Sequence, residues 1–400
     1  MVDIATSRFS DSAVYAFCAA FAGITALTST LLPHRAWGSI AGIGYAAAAL
    51  LALWRLVPRA WLVGFVFVAV ALVPLITQAV QRAGGRTDRA QEEVMVVEQM
   101  GSRLLTSGSP YLTRDDIAAL PSSSQLLGYA PYQPGMAVFG LPRAVSGSFW
   151  WTDARVWFAV VTLSCLWYCM RLLQPITSTS GLILVAQSVA VVPLCTLTLA
   201  TGGDDLPVLA LSLLAVSFAA RDRFPAAGIA VGLAGALKLF ALPVAVVLLV
   251  LAFHRGRFAA SGRFAVGAFG IPLLVLLPFA FSGAFLENVV RFPSGHGLVI
   301  SPAQSPLPGH LIATGLPAGR YLSLGLLLLA GAALAWWLLR RPPADARAAA
   351  LVIAVGLTAA ILLTPTTRFG YLLYPVAFLA FWWSLRRLGR ASADLAGPPA

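Results

Sequence analysis

Apolar residues recur in long uninterrupted stretches from about residue 12 to residue 385, and polar residues collect between these stretches. A helix that crosses a bilayer core about 30 Å thick needs roughly 20 consecutive, mostly apolar residues. The candidate spans lie at about residues 12–32, 37–56, 60–80, 153–173, 181–200, 206–220, 226–253, 264–282, 319–339, 347–364 and 371–385. This pattern predicts an all-α, polytopic bundle of transmembrane helices that forms a single integral membrane domain over residues 1–400.

The stretch 226–253 is longer than one span requires, and basic residues flank both of its ends. Lys238 and Pro243 interrupt its middle. A proline removes a helical hydrogen bond, and a lysine at membrane depth is costly. The pattern therefore predicts a hairpin of two short helices, which gives twelve helical segments within a range of about 11–13.

The arginines between the spans predict the orientation, because cytoplasmic loops of membrane proteins are enriched in Lys and Arg. The arginines that fall on one side are Arg55, Arg59, Arg171, Arg221, Arg223, Arg255, Arg257, Arg263, Arg340, Arg341, Arg347, Arg386, Arg387 and Arg390. We therefore expect a multi-pass protein of the inner (plasma) membrane with both termini in the cytoplasm. Residues 391–400, rich in Gly and Pro, are expected to be a flexible cytoplasmic tail.

The opposite face receives the loops 81–152, 201–205, 283–318 and 365–370. Ten of the 15 acidic residues fall there: Asp88, Glu92, Glu93, Glu98, Asp115, Asp116, Asp153, Asp204, Asp205 and Glu287. Acidic residues do little to set orientation. The skew instead favours chemistry on the outer face.

Composition agrees with a membrane protein and excludes two other classes. Apolar residues make up 59% of the chain and charged residues only 10%, whereas soluble domains carry about 25% charged residues. Disorder requires low hydrophobicity. The net charge of +12 comes almost wholly from arginine, and the basic loops explain it without a nucleic-acid partner.

The loop 81–152 is too long for a simple connector. Apolar residues at helical spacing within 91–106 predict an amphipathic helix along the membrane surface. A second short helix is expected after Thr113, followed by an aromatic, proline-rich segment at 128–142. This first outer loop carries the first candidate site.

Two pairs of neighbouring acids have alternative interpretations. Glu92 and Glu93 open the loop helix, where the backbone dipole favours carboxylates, or one of them is a general base that deprotonates an acceptor hydroxyl. Asp204 and Asp205 either cap the next helix or hold sugar hydroxyls or a divalent cation. No other metal or cofactor is expected.

Basic and aromatic residues on the outer side are candidates for binding an anion. Lys238, far from the ends of its apolar stretch, either binds a lipid phosphate or extends its amine to the membrane surface. The other candidates for binding phosphate are Arg291, Arg320 and Arg368. His310 is an ordinary loop residue or a ligand, and Tyr371 belongs to an interfacial aromatic belt or to a site.

Several motifs resemble one known family when they are taken in order. These are Glu93 followed by SRLLTSGSPYL, then YAPYQPGMAVFGLP, AAGIAVGLAGALKLFALP, SPAQSPLPGHLI and LTPTTRFGYLLYP. The set, over roughly residues 60–386, resembles glycosyltransferase family 87 of the GT-C class. That family includes polyprenyl-phosphate-mannose-dependent mannosyltransferases of actinobacteria.

The resemblance implies an inverting transfer of a sugar, mannose in the family members named above, from a polyprenyl-phosphate donor. The acceptor would be a glycolipid or a cell-envelope glycan on the extracytoplasmic face, and membrane lipids surround the protein. The family's catalytic aspartate corresponds to Glu93, with Glu92 as the near alternative. The candidate substrate-binding residues are Tyr111, Tyr129, Tyr132, Asp204, Asp205, His310 and Tyr371.

Two other functions remain open at this point. A transporter or flippase is also a helix bundle with polar residues at depth, and such proteins often repeat a broken helix in both halves. The sequence shows one candidate broken hairpin. An inactive relative that serves as a membrane scaffold is the third interpretation.

Overall fold

A computed structural model describes residues 2–54 and 57–385. The predicted tail at 391–400 and the arginines Arg55, Arg386, Arg387 and Arg390 lie outside the described residues. The longer helices are α1 (Val2–Thr28), α2 (Leu32–Leu53), α3 (Arg59–Ala83), α4 (Glu92–Ser107), α5 (Ala154–Leu173), α6 (Thr179–Ala190), α7 (Pro193–Thr201), α8 (Asp205–Ala219), α9 (Phe224–Leu237), α10 (Leu242–Leu276), α11 (Gly319–Arg340), α12 (Ala346–Leu363) and α13 (Leu373–Ser384).

Short helical turns fill much of the loops. They are Arg114–Ala119, Ser122–Ser124, Gln125–Gly128, Pro134–Gly140, Leu141–Ser146, Trp150–Thr152, Leu239–Ala241, Gly283–Phe285, Leu286–Arg291, Pro308–Gly315 and Phe369–Leu372. The described residues contain no β-strand, although an isolated parallel bridge joins Gln304 to Thr367. The predicted all-α class is confirmed.

Seven helices in the described part of the chain are long and apolar enough to cross a membrane. The pair α6 and α7, bent by 42° at Pro193, gives an eighth if it is counted as one span, and three shorter apolar helices accompany them. The candidate span predicted at residues 181–200 falls on this pair of helices. Pro193 cannot continue the helical hydrogen bonds of α6, so the chain bends there.

The predicted hairpin is present, and its tip is Lys238. Helix α9 ends at Leu237, Lys238 is extended with φ −150° and ψ 147°, and one turn leads into α10. The chain reverses again inside α10, where Arg257 has φ 50°. Counting the two halves of α10 separately brings the apolar helical segments among the described residues to twelve.

Close packing of small residues shows that the second half of α10 runs parallel to α9. The Cα of Gly228 lies against the backbone of Phe264, and Gly232 lies against Gly267 one turn further along both helices. Small residues let transmembrane helices approach this closely. The hairpin tip and the end of α10 therefore point to the same end of the bundle.

The first outer loop folds onto the bundle. Helix α4 begins at Glu92, close to its predicted start, and ends at Ser107, where Gly108 caps it with a φ of 72° that suits glycine. Its residues Val94, Val97 and Met100 are buried, and the helix packs on the turn Pro134–Gly140, where Gly101 lies against the backbone of Gly140. The predicted amphipathic helix is therefore present, but its apolar face is covered by the protein's own loop.

Candidate functional site

Helix α4 carries the two candidate bases, and its start is fixed against the loop before α8. The backbone N–H of Gln91 donates to the carbonyl of Thr201 at 2.8 Å, and the Thr201 hydroxyl donates to Oε1 of Gln91 at 3.1 Å. The Gly-Gly-Asp-Asp sequence of 202–205 follows directly. The two acidic pairs of the sequence are thus neighbours in the structure.

Glu92 and Glu93 differ in their surroundings. Glu92 is exposed to solvent, whereas the side chain of Glu93 is 14% exposed and forms an ion pair with Arg368. Arg368 stands just before the turn Phe369–Leu372, at the end of the loop that precedes α13. The structure thus pairs Glu93, and not Glu92, with one of the predicted phosphate ligands.

Lys238 lies between two carboxylates. Its Nζ is 2.7 Å from Oδ2 of Asp204 and 2.7 Å from Oδ1 of Asp205. The Tyr374 hydroxyl donates to Oδ1 of Asp205 at 2.8 Å, and all three charged side chains are at least nine-tenths buried. A buried lysine needs such partners, because an unpaired charge would be costly in this setting.

This arrangement changes three expectations. Asp204 holds the N-cap position of α8 but makes no capping hydrogen bond with its side chain. Lys238 does not extend its amine to the protein surface, since the residue is only 9% exposed. Its amino group occupies the space between the carboxylates that a divalent cation would need, and the described residues contain no cluster of three or more His, Cys, Asp or Glu that fits a metal.

Aromatic rings enclose the Lys238 amine. Nζ lies 5.1 Å from the ring centre of Tyr132 and 5.9 Å from that of Tyr371, distances at which a cation is attracted to a ring face. The Tyr111 hydroxyl donates to the carbonyl of Tyr132 at 2.8 Å. Gln133 donates its backbone N–H to the carbonyl of Leu237 at 3.1 Å. These contacts hold the first outer loop over the hairpin tip.

Arg368 directly precedes the turn Phe369–Leu372, and Tyr371 lies within it. This turn therefore connects the Glu93 ion pair with the Lys238 triad. Arg368 pairs with Glu93, and Tyr371 faces Lys238. We name the set Glu93, Arg368, Tyr371, Lys238, Asp204 and Asp205 the acid–base cluster. It combines a partly exposed carboxylate, a partly exposed guanidinium and a buried ion triad at one end of the bundle.

The remaining predicted residues have other partners. Arg320 donates to the carbonyl of Ser294 at 2.5 Å, and Nδ1 of His310 lies 3.1 Å from the carbonyl oxygen of Pro365. Arg291 lies 3.6 Å from Glu287. These contacts fix the loop 283–318 and do not involve Glu93 or Lys238.

Tyr129 belongs to a contact between the two long outer loops. Its hydroxyl donates to Glu287 at 2.8 Å, and its ring stacks on Phe292 with centres 4.1 Å apart. Arg114 also donates to Glu287 at 2.8 Å. Burial alone would raise the pKa of Glu287, but the hydrogen bonds from Tyr129 and Arg114 outweigh it, so the pKa lies below its usual value.

Sequence reasoning missed Gln91 and Tyr374, which support the cluster. A tyrosine in an apolar span looks like an ordinary core or interface residue, and nothing in the pattern pairs it with Asp205. It also missed the buried Arg155 at the start of α5. In that case a signal existed, because Asp153 and Arg155 stand two residues apart at the edge of a predicted span.

Comparison with known proteins gives a family match and two similar solved structures. The sequence model of glycosyltransferase family 87 matches residues 129–365. The structure of ArnT from Cupriavidus metallidurans bound to undecaprenyl phosphate is 17% identical, with a TM-score of 0.51 over 85% of this chain and 62% of that chain. Its apo structure is 18% identical, with a TM-score of 0.48 over 84% and 61%.

The chain thus spans about 62% of the length of the ArnT chain that it resembles. At this identity the likeness shows the fold, and the predicted helix bundle of GT-C type is confirmed. A comparison with curated proteins gives no significant match.

Proposed function

The chain belongs to glycosyltransferase family 87, and from that membership we propose that it transfers a sugar from a polyprenyl-phosphate donor. The proposed acceptor is a lipid or a cell-envelope glycan, and the proposed sugar is mannose. Support for the donor comes from the family and from the undecaprenyl phosphate bound to the similar ArnT structure. A donor of this kind places an anionic phosphate at the membrane surface and a long chain in the bilayer.

The observation that carries the proposal is the position of Glu93. It stands in the first turn of a loop helix that is hydrogen-bonded to the Asp204–Asp205 loop, and it is in contact with an arginine. As general base, Glu93 accepts the proton of an acceptor hydroxyl. The hydroxyl oxygen then bonds to the anomeric carbon, the bond from that carbon to the phosphate oxygen breaks, and polyprenyl phosphate leaves with the electron pair. One displacement inverts the anomeric centre.

Arg368 is the proposed partner of the donor phosphate. Its guanidinium is one-third exposed and can form two parallel hydrogen bonds with phosphate oxygens. In the structure it pairs with Glu93, so the arriving phosphate would draw Arg368 away and free the carboxylate. A positive charge at this position stabilises the negative charge that develops on the leaving phosphate.

Lys238 has a different proposed part. Its charge is already balanced by Asp204 and Asp205, so its proposed role is to hold these two carboxylates in place and to support the ring of Tyr371. Binding of a divalent cation by Asp204 and Asp205 is no longer proposed, because the amine fills that position. Roles of Arg291 and Arg320 toward the donor stay predictions.

The proposed location is the plasma membrane, with the acid–base cluster facing outside. The ion pairs Asp11–Arg59 and Asp222–Arg255 lie at the opposite ends of the helices that carry the cluster or pack against it. Arginine-rich loops at that end support a cytoplasmic assignment. On this orientation the acceptor meets Glu93 from the extracytoplasmic side.

The test is sugar transfer by the purified protein in liposomes. Radiolabelled polyprenyl-phosphate mannose and a membrane extract are supplied, and glycosylated product is separated from the donor. We expect Glu93→Gln to abolish product formation, since the amide cannot accept the proton. Glu92→Gln is the matched control on the same helix turn and is expected to remain active, because Glu92 faces solvent.

Two results would contradict the proposal. Equal activity of Glu93→Gln and the wild type would remove Glu93 as the base. Movement of the labelled donor across the bilayer without any glycosidic product would instead favour the transporter or flippase interpretation. A protein that neither moves nor consumes the donor would favour the inactive scaffold.

A further inference from the structure

Arg155 is fully buried at the start of α5, and its guanidinium binds one carboxylate and two backbone carbonyls. Nε and Nη2 donate to the two carboxylate oxygens of Asp153 at 2.9 and 2.8 Å. Nη1 donates to the carbonyl of Arg89 at 2.8 Å and to the carbonyl of Ala200 at 2.9 Å. The side chain is 0% exposed, so no substrate can reach it.

The two carbonyls belong to the segments that carry the acid–base cluster. Arg89 lies four residues before Glu93, and Ala200 lies four residues before Asp204. A single guanidinium therefore connects the approach to helix α4 with the approach to α8. Directly beyond these carbonyls, hydrogen bonds between Gln91 and Thr201 join the same two segments.

Further ion pairs compensate the buried charge. Asp153 also pairs with Arg82 at 3.0 Å, and Glu98 pairs with Arg82 at 2.6 Å and with Arg143 at 3.2 Å. A buried charge is tolerated when it is paired and hydrogen-bonded. Because Glu98 lies on α4, the same group of charges also fixes the orientation of that helix.

We propose that Arg155 is a positioning residue that holds Glu93 and the Asp204–Asp205 loop in the register needed for sugar transfer. This inference rests on the proposed function. Arginine suits the task because its planar group has five donors in a fixed arrangement, whereas the three donors of lysine radiate from one atom. Removing Arg155 frees the two segments to separate, and a displacement of about 1 Å costs about 100-fold in rate.

The closing experiment replaces the lost contact with a covalent one. A Cβ at Gly202 lies 3.9 Å from the Cβ of Gln91, close to the spacing of about 3.8 Å in disulfides. The Gln91→Cys/Gly202→Cys pair therefore forms a cross-link between the same two segments. The four native cysteines are buried, which limits competing disulfides.

Turnover is measured in Arg155→Met and Arg155→Lys, each with and without the cysteine pair, oxidised and then reduced. We expect turnover to fall about 100-fold in Arg155→Met and by an intermediate factor in Arg155→Lys, with little change in the KM for donor. When the cysteine pair is oxidised, we expect the Arg155 variants to reach about a tenth or more of the turnover of the oxidised protein that has the cysteine pair and retains Arg155. Reduction of the disulfide is expected to lower turnover again. A general folding defect would not give a recovery that depends on the redox state of this cysteine pair.

Each other outcome has a definite meaning. An inactive wild type would refute the proposed function itself. An active wild type with an equally active Arg155→Lys and Arg155→Met would overturn the positioning role. Failure of the oxidised pair to restore either variant would also overturn it, as would failure to recover both variants as folded protein, because Arg155 would then be needed for folding alone.

Discussion

At the scale of single residues, Lys238 illustrates how neighbouring charges decide what a side chain can do. The sequence marks it as the only lysine, placed in the middle of an apolar stretch. An isolated lysine there would be available to an anionic ligand. The structure places two carboxylates 2.7 Å from its amine, so its first role is to balance Asp204 and Asp205.

This balance predicts an asymmetric effect on stability. Lys238→Met leaves Asp204 and Asp205 buried beside each other without a counter-ion, which is expected to cost about 3–5 kcal/mol of unfolding free energy. Lys238→Met/Asp205→Asn removes one of the charges, and the amide oxygen can still accept the hydrogen bond from Tyr374. In detergent, the midpoint of thermal unfolding of the double variant should lie well above that of Lys238→Met.

The same measurement can refute the charge argument. If the double variant is no more stable than Lys238→Met, repulsion between the carboxylates is not the source of the loss. The loss would then come from packing of the lysine stem against Tyr132 and Tyr371.

At the scale of elements, the two long outer loops depend on each other. The segment around Tyr129 reaches the turn Leu286–Arg291 through Glu287 and Asn288. Glu287 has a side chain that is 1% exposed and receives hydrogen bonds from Tyr129 and Arg114. These bonds favour the ionised carboxylate, so its protonation should loosen the contact between the loops.

The lowered pKa of Glu287 sets the sign of the pH effect. In the unfolded chain a glutamate titrates near about 4.3. The stabilisation from the ionised group is fully present above that value and is lost as the pH falls through the lower pKa of the folded state. We expect the stability difference between wild type and Glu287→Gln to shrink as the pH falls below about 4.

Thermal unfolding of both proteins between pH about 7 and about 3 measures this difference. Asp115→Asn is a suitable control, since Asp115 is exposed on the same outer loop. A constant difference between wild type and Glu287→Gln over the whole range would contradict the prediction.

At the scale of the whole molecule, the order of spans brings distant loops to one end of the bundle. Residues from four separate segments meet in the acid–base cluster, at the starts of α4 and α8, at the hairpin tip after α9 and before α13. Every one of these segments was expected on the outer side from the arginine distribution. Their proximity agrees with consecutive spans that cross the membrane in opposite directions.

The orientation itself can be measured by labelling introduced cysteines in intact cells. Ser123→Cys lies on the first outer loop and Ala259→Cys lies just after the reversal at Arg257, and both positions are exposed. We expect a membrane-impermeant maleimide to label Ser123→Cys in intact cells and Ala259→Cys only after permeabilisation. The opposite pattern would invert the proposed topology.

The sequence by itself determined the helix bundle, the hairpin at Lys238 and the start of α4. These features depend on local rules, since long apolar stretches require helices in a bilayer and prolines and charges interrupt them. It also identified Glu93, Arg368, Asp204, Asp205, Tyr371 and Lys238 as candidates. Each is a polar residue at a position where the membrane makes polarity costly or where a loop begins.

Only the tertiary structure decided which of these residues are partners. The pairs Glu93–Arg368 and Lys238–Asp204 join residues far apart in sequence, and Arg155 joins two distant segments through backbone carbonyls that any sequence would supply. Such contacts depend on how helices pack in three dimensions, and hydrophobic periodicity carries no information about them. The different surroundings of Glu92 and Glu93 likewise depend on which face of the first turn of α4 packs against the bundle.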